Sequence, residues 1–246
     1  MENHPVIDFN RVSIFQNETL ILANVTLTIS KGEFVYLIGK TGSGKSSLLK
    51  TIYGDLPLKN GSGTVAEFDL RRLKPRQIPF LRRKLGIVFQ DFQLLMDRSV
   101  SENLLFVMRG TQWKDKKLMQ KRLMEVLAKV NLETKGKKMP HQLSGGEQQR
   151  IGIARALIND PEIILADEPT SALDPISSQA IEEKFIELKK NYTIILVTHI
   201  LRQARRIADN VIFMYLGEVI EQGPANQIFE DPKEEKTKSY FKGLFY

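Results

Sequence analysis

Gly39-Lys40-Thr41-Gly42-Ser43-Gly44-Lys45-Ser46 is the stretch that decides the fold. It fits G-x-x-x-x-G-K-[ST], and it stands between an apolar run, Phe34 to Ile38, and a helical pattern through Leu48, Leu49, Ile52 and Tyr53. A buried strand, a glycine-rich loop and a helix start make a phosphate cradle. Glycines 39, 42 and 44 let backbone N–H groups converge on oxygens, and the helix N-terminus adds its dipole. In such a loop Lys45 reaches the β- and γ-phosphates and Ser46 offers its hydroxyl to Mg²⁺, while Lys40, Thr41, Ser43 and Ser47 complete the cradle. An ordinary glycine-rich strand-to-helix turn is the competing account, and the flanking context argues against it.

A second segment, Leu143-Ser144-Gly145-Gly146-Glu147-Gln148-Gln149, precedes Ile151, Ile153, Ala154 and Leu157. Ser144-x-x-Glu147 is a plain capping box at a helix start. A capped helix N-terminus is also an anion site, and Gly145 and Gly146 leave its amides uncovered.

The full string LSGGEQQRIGIARAL resembles the signature of ATP-binding-cassette (ABC) ATPases, and other motifs of that family follow in order. Ile163 to Ala166 is an apolar strand ending in Asp167 and Glu168, then Pro169; Ser171-Ala172-Leu173-Asp174 matches the D-loop. Gln90 closes the strand Gly86 to Phe89, and Thr193 to Thr198 is a β-branched strand ending at His199. A carboxylate at a strand tip, Asp167, suits Mg²⁺, which prefers hard oxygens and keeps part of its water shell. Gln90 offers a neutral oxygen to the same ion or to the attacking water. Glu168 is the candidate general base. A lone histidine is more often structural, but the resemblance makes His199 the γ-phosphate sensor. It places Ser144, Gly145, Gly146, Glu147 and Asp174 against nucleotide held by a second copy, paired head to tail. Phe15 is the candidate for stacking on adenine, with a strand-core phenylalanine as the rival account.

What the resemblance implies is a P-loop NTPase fold of the α/β class: a RecA-like parallel core, an N-terminal antiparallel β subdomain and an inserted α-helical subdomain. One nucleotide-binding domain over 1–246 is expected, with core 1–90 and 147–232, helical insertion 91–146 and tail 233–246. Val25, Leu27 and Ile29 alternate with Thr26, Thr28 and Ser30, as in a half-buried antiparallel strand. Ser99-x-x-Glu102 caps one helix of the insertion, and Leu118, Arg122, Leu123, Val126, Leu127 and Val130 mark another. Core strands are expected at 162–167, 193–198 and 211–215. Tyr240, Phe241, Leu244, Phe245 and Tyr246 suggest a short packed terminal helix.

No run approaches the roughly 20 apolar residues of a membrane span, and Met1 to Asn10 is polar and broken by Pro5, unlike a signal peptide. The absence of cysteine excludes disulfides and cysteine metal sites. A cytoplasmic protein, peripheral on the inner face of the cell membrane, is expected. The net charge of +7 concentrates in Arg71, Arg72, Lys74, Arg76, Arg82, Arg83 and Lys84, and in Lys114, Lys116, Lys117, Lys121 and Arg122. Such runs are most often a solvated face, next an approach to anionic lipid, and last a nucleic-acid surface. No nucleic acid is expected.

Residues 1 to about 168 are similar to the cell-division ATPases FtsE, which work with the membrane protein FtsX, in IPFLRRKLGIVFQDFQLLMDRSVSENLLF and KMPHQLSGGEQQRIGIARAL. From about Ser171 the chain resembles PstB, the phosphate-importer ATPases, in SALDPISSQAIEE, YTIILVTH and FMYLGEVIEQGP. The chain therefore looks composite. The resemblance implies ATP and Mg²⁺ as cofactors, and a second copy and an FtsX-like protein or a phosphate permease as partners. A soluble cassette ATPase acting on nucleic acid or ribosomes is the alternative of another class.

Overall fold

In the computed structural model, residues 5–243 are described. The first half of the chain runs β1 (Pro5–Gln16), β2 (Thr19–Ser30), β3 (Phe34–Ile38), α1 (Lys45–Ile52), β4 (Asn60–Val65), β5 (Phe68–Asp69), α2 (Ile78–Arg83), β6 (Leu85–Val88), α3 (Val100–Gly110) and α4 (Lys116–Lys129). There follow α5 (Gly145–Ala156), β7 (Ile163–Asp167), α6 (Pro175–Leu188), β8 (Thr193–Val197), α7 (Leu201–Ile207), β9 (Asn210–Tyr215), β10 (Glu218–Pro224), α8 (Ala225–Glu230) and α9 (Glu235–Phe241). Two compact units form, one from the chain up to Leu81 together with Thr193 onward, the other from Arg82 to Tyr192.

The first unit carries the antiparallel sheet, in the order β2-β1-β4-β5. Alternation in β1 and β2 buries Ile7, Phe9, Val12 and Ile14 on one strand and Leu22, Val25, Leu27 and Ile29 on the other. In the same unit β3 lies between β8 and β9, parallel to both, and β10 is antiparallel to β9. Every residue of β3 and β8 is buried, as expected of parallel strands covered on both faces. The Ala23 N–H donates to Gly217 O at 2.9 Å, tying β2 to the β9–β10 turn. The tail belongs here too. Tyr240 of α9 stacks on Phe213 of β9, centroids 4.7 Å apart, and the Glu221 carboxylate accepts the amides of Lys233 at 2.9 Å and Glu234 at 3.2 Å. Residues 233–243 are thus anchored; Leu244, Phe245 and Tyr246 lie outside the described residues.

In the second unit β6 and β7 pair in parallel, Leu85 with Ile163 through Val88 with Ala166. A Cβ at Gly86 would stand 2.6 Å from Ala156 O, so glycine is what lets α5 close on β6. The helical insertion is present as α3 and α4, and the compact unit that holds it extends past 91–146 on both sides. Ser99 and Glu102 form the capping box of α3 that the sequence indicates. Asn103, buried, closes the preceding loop: its Nδ2 donates to the carbonyls of Leu95, Arg98 and Ser99, and its Oδ1 accepts from Leu95 N at 2.7 Å. Two residues expected on the core face of α4 behave otherwise. Leu118 is 55% exposed, while Met119, next to it in the first turn, is the residue that enters the core. Arg122 turns inward and donates to Ile158 O at 2.9 Å and Leu157 O at 2.6 Å, satisfying carbonyls at the end of α5. This member of the second basic run is structural.

Candidate functional site

The site residues are distributed over both units. In the first, β3 delivers Gly39 to a loop that bends into α1, and two of its glycines are enforced by neighbours. Gly39 has φ 148° and a Cβ there would strike Met214 O; Gly44 has φ 99° and a Cβ would strike the Leu22 side chain. Gly42, at φ 82°, has open space around it, so its conformation alone calls for glycine. α1 starts at Lys45 with Gly44 as N-cap, no side-chain cap and no acidic residue in its first turn. Its amide end is therefore left to an anion. Lys45 is buried and folds back over the loop, its Nζ donating to Gly39 O at 2.8 Å and Lys40 O at 2.9 Å and lying 3.5 Å from Ser43 Oγ. Thr41 and Ser46 are exposed, Ser43 is buried and Ser47 is half-buried. Backbone and donors alike fit a polyphosphate.

Phe15 and His199 also belong to the first unit. Phe15 is half-buried near the end of β1, opposite Leu20, and strand alternation puts it on the face opposite buried Val12 and Ile14. It is not a core phenylalanine. His199 is exposed two residues past β8, and Thr198 Oγ1 accepts Ile200 N at 3.0 Å and donates to Gln203 Oε1 at 3.3 Å, fixing the backbone on which His199 is carried.

The second unit holds Gln90, Ser144 to Glu147, Asp167, Glu168 and Asp174. Strand β6 ends at Val88, so Gln90 sits two residues past it, exposed in a turn. β7 ends at Asp167; Glu168 then takes φ 45°, a left-handed conformation that a non-glycine residue rarely holds. Its carbonyl accepts Ser171 N at 3.2 Å and Ser171 Oγ at 3.0 Å, which pins the turn. α5 opens with the expected box: Ser144 N donates to Glu147 Oε2 at 2.9 Å and Glu147 N to Ser144 Oγ at 3.2 Å. Asp174 caps α6 through Ile176 N and Ser177 N, both at 3.0 Å.

Two of these arrangements differ from the reading of exposed signature amides. Gly146 is buried, and a Cβ on it would lie 2.7 Å from Ser177 Oγ; its lack of a side chain lets α6 approach α5. Gly145 is 3.3 Å by the same measure from Leu173 Cδ2. The carboxylate of Glu147 turns back to the cap and pairs with Lys135 Nζ at 3.0 Å. Sequence reasoning passed over Gln149. It is fully buried on α5, and its Nε2 donates to Phe89 O at 3.2 Å and Pro169 O at 2.7 Å. One side chain thus joins the residue before Gln90 to the residue after Glu168.

The Ser144 amide, followed by the Lys135 side chain, holds the Glu147 carboxyl below its ordinary 4.5. Ser177, by side chain and then by amide, does the same for Asp174. A depressed carboxylate contributes stability above its unfolded pKa, and that contribution is lost as pH falls through the folded value. Glu147→Gln should therefore flatten the acid limb of the melting curve, read as Tm between about pH 3 and pH 7. An acid limb as steep as in the unaltered chain would show that Glu147 does not titrate with folding.

A family model described as "ABC transporter" matches residues 22–171. The chain belongs to the ABC transporter family. It is 38% identical over 249 residues to methionine import ATP-binding protein MetN 2 of Paraburkholderia xenovorans, covering 98% of this chain and 64% of that protein. It is 36% identical to the glutamate/aspartate import ATP-binding protein GltL of Escherichia coli K12, over 98% of this chain and 100% of that one. It is 38% identical to the cell division ATP-binding protein FtsE of Streptococcus pneumoniae D39, over 85% of this chain and 91% of that one. The solved dimer of the ATP-binding cassette MJ0796 in a post-hydrolysis state, bound to ADP and Pi, superposes with TM-score 0.77 at 34% identity, over 89% of this chain and 98% of that one. These likenesses establish a P-loop NTPase fold and a cassette ATPase that uses ATP with Mg²⁺. MetN 2, GltL and FtsE all align across residues 168–171, the FtsE match covering 85% of this chain, so these relatives carry no break where the composite reading expected one. Cell-division and importer names stand at near-equal identity, so the relatives support the family and leave the subfamily open.

Proposed function

We propose that the chain is the ATP-hydrolysing subunit of an ABC-type membrane complex, acting as a head-to-tail pair on an integral membrane partner of the FtsX kind. The observation that carries the pairing is the division of the two motif-bearing helix starts: the loop before α1 belongs to one compact unit and the capped start of α5 to the other. In the proposed pair, Gly39–Ser47 of one copy holds the phosphates, and Ser144, Gly145 and Gly146 of the other close over them. Ser46, Gln90 and Asp167 supply oxygens to Mg²⁺, Glu168 takes the proton of the attacking water, and His199 stabilises the γ-phosphate. Asp174 orients the start of α6 beside the closing helix. The working place is the inner face of the cell membrane, and among the described residues no helix is long and apolar enough to cross it.

The partner reading rests on residues 90–110. Leu94 and Leu95 are half-buried there, and Met96 and Phe106 are 53% and 48% exposed, with the Arg98 guanidinium 4.7 Å from the Phe106 ring centroid. Exposed apolar side chains beside an ordered loop suit a docked helix. Glu168→Gln protein with ATP should capture an FtsX-like protein from membranes, and Leu94→Asp with Leu95→Asp should abolish capture while ATP binding survives. The importer reading draws on the resemblance of residues after 171 to PstB and on the methionine and glutamate/aspartate relatives. α9 packs on its own unit through Tyr240 and Phe213, so removing residues 233–246 should lower Tm and leave capture intact. Capture lost with the tail and indifferent to the aspartates would move the assignment to a permease of the importer type.

A further inference from the structure

Helix α5 grips the segment Phe89–Gln93 from both ends. At the near end, both Nε2 hydrogen bonds of Gln149 go to carbonyls, Phe89 O and Pro169 O. Carbonyls accept only, so the amide can face no other way. Its Oε1 is buried without a partner, which means the side chain is held there by those two bonds rather than by full satisfaction. At the far end, Arg155 Nη2 donates to Phe92 O at 2.9 Å and Nη1 to Gln93 O, with the guanidinium 5.5 Å from the centroid of the Phe89 ring. Burial lowers the Arg155 pKa to about 10, partly offset by Asp91, so the guanidinium stays charged at neutral pH. The gripped residues are themselves unusual. Phe92 and Gln93 stand in succession at φ 60° and 47°, where side chains with a Cβ are disfavoured. A loop of this shape persists only if something outside it holds it.

We propose that Arg155 and Gln149 are positioning residues for Gln90, holding the backbone on either side of it in a strained form that the loop would not keep by itself. Gln149 serves Glu168 in the same way through Pro169 O. This rests on the proposed role of Gln90 toward Mg²⁺ and the attacking water. Neither side chain touches nucleotide; both act through the loop and so govern the chemical step more than binding. All four contacts lie within Arg82–Tyr192, whereas the loop that holds the phosphates lies outside that unit.

The test is steady-state hydrolysis by the full chain with Arg155→Lys, which keeps the charge but loses the fork. The expected result is a kcat lower by about tenfold, half-saturating Mg²⁺ raised severalfold, and a dissociation constant for ATP within about twofold. Adding Gln93→Gly should recover at least about threefold of the lost kcat, because glycine takes a positive φ without steric cost. If Arg155 only packs α5, the glycine will lower activity further, and that result overturns the proposal. So does an unchanged kcat and Mg²⁺ dependence. Gln149→Met, of similar volume but without donors, is measured beside it and should show the same split between kcat and ATP affinity even where Arg155→Lys fails to fold. Wild-type protein inactive with Mg²⁺ and ATP would remove the hydrolytic reading and this proposal with it; active wild type with indifferent variants would remove this proposal alone.

Discussion

Glu168→Gln should bind ATP normally, lose hydrolysis by about 10²- to 10⁴-fold, and accumulate as a dimer on size exclusion in ATP. The argument starts at the end of β7. Ile163 to Ala166 are buried, and the strand leaves its ladder at Asp167. Glu168 then departs at φ 45°, a conformation that costs roughly 1–3 kcal/mol for a residue with a Cβ. The cost is offset by Ser171, which caps the Glu168 carbonyl with both amide and hydroxyl, and by Gln149, which takes Pro169 O. Strain held by surrounding bonds is consistent with the proposed role of Glu168 as the base. Glutamine keeps the size and one oxygen but cannot take a proton from water, so binding and closure survive while the chemical step stops. The solved relative with ADP and Pi is a dimer after hydrolysis, which makes a trapped pair the state to look for. A variant that hydrolyses at the unaltered rate and stays monomeric in ATP would show that the base lies elsewhere.

The parts of this molecule that sequence reveals are those with a local pattern. β3, β7 and β8 are runs of apolar residues, and both capping boxes, Ser99–Glu102 and Ser144–Glu147, form at the residues that spell them. The phosphate loop is legible because three glycines at fixed spacing have few other uses. Other features carry no such mark. Three hairpins turn on residue pairs that both have positive φ: Asn17-Glu18, Ala66-Glu67 and Leu216-Gly217. Ala66-Glu67 contains neither glycine nor asparagine, so no local turn signal announces β5; the ladders on each side impose that turn. Gly146 was read for its amide, yet Ser177 lies 31 positions later in the chain, and a close approach of that kind has no local signal. Gln149 and Arg155 were hidden for the same reason. A polar residue inside an amphipathic helix looks solvated until the partners across the fold, Phe89, Phe92 and Pro169, are known.

Lys45→Ala should weaken ATP binding by about 10- to 100-fold, the loss expected for hydrogen bonds to a charged group worth roughly 1.5–3 kcal/mol. Two effects compete in this substitution, and the structure separates them. Lys45 Nζ serves the loop itself, donating to Gly39 O and Lys40 O. Removing it leaves those carbonyls to water, and the loop loses order. The backbone shape does not depend on Lys45 alone, because the Gly39 and Gly44 positions are boxed in by Met214 O and Leu22. The loop should therefore persist, with a Tm lowered by only a few degrees, while the positive charge that meets the phosphates is gone. Calorimetric titration with ATP beside a melting curve distinguishes the outcomes. An ATP affinity within twofold of the unaltered chain would mean that Lys45 is a loop brace and nothing more. A collapsed melting curve would mean that the glycines do not hold the cradle unaided. The predicted pattern, with affinity lost and fold kept, also makes this chain the right partner for Ser144→Arg. For one pairing in the mixture both lesions fall in the same composite site, leaving the other site whole. If each closed site hydrolyses independently, activity absent from either parent should return in the mixture. A mixture that stays silent at every ratio would mean that the chemistry needs both sites, or that the two half-sites do not meet across a pair.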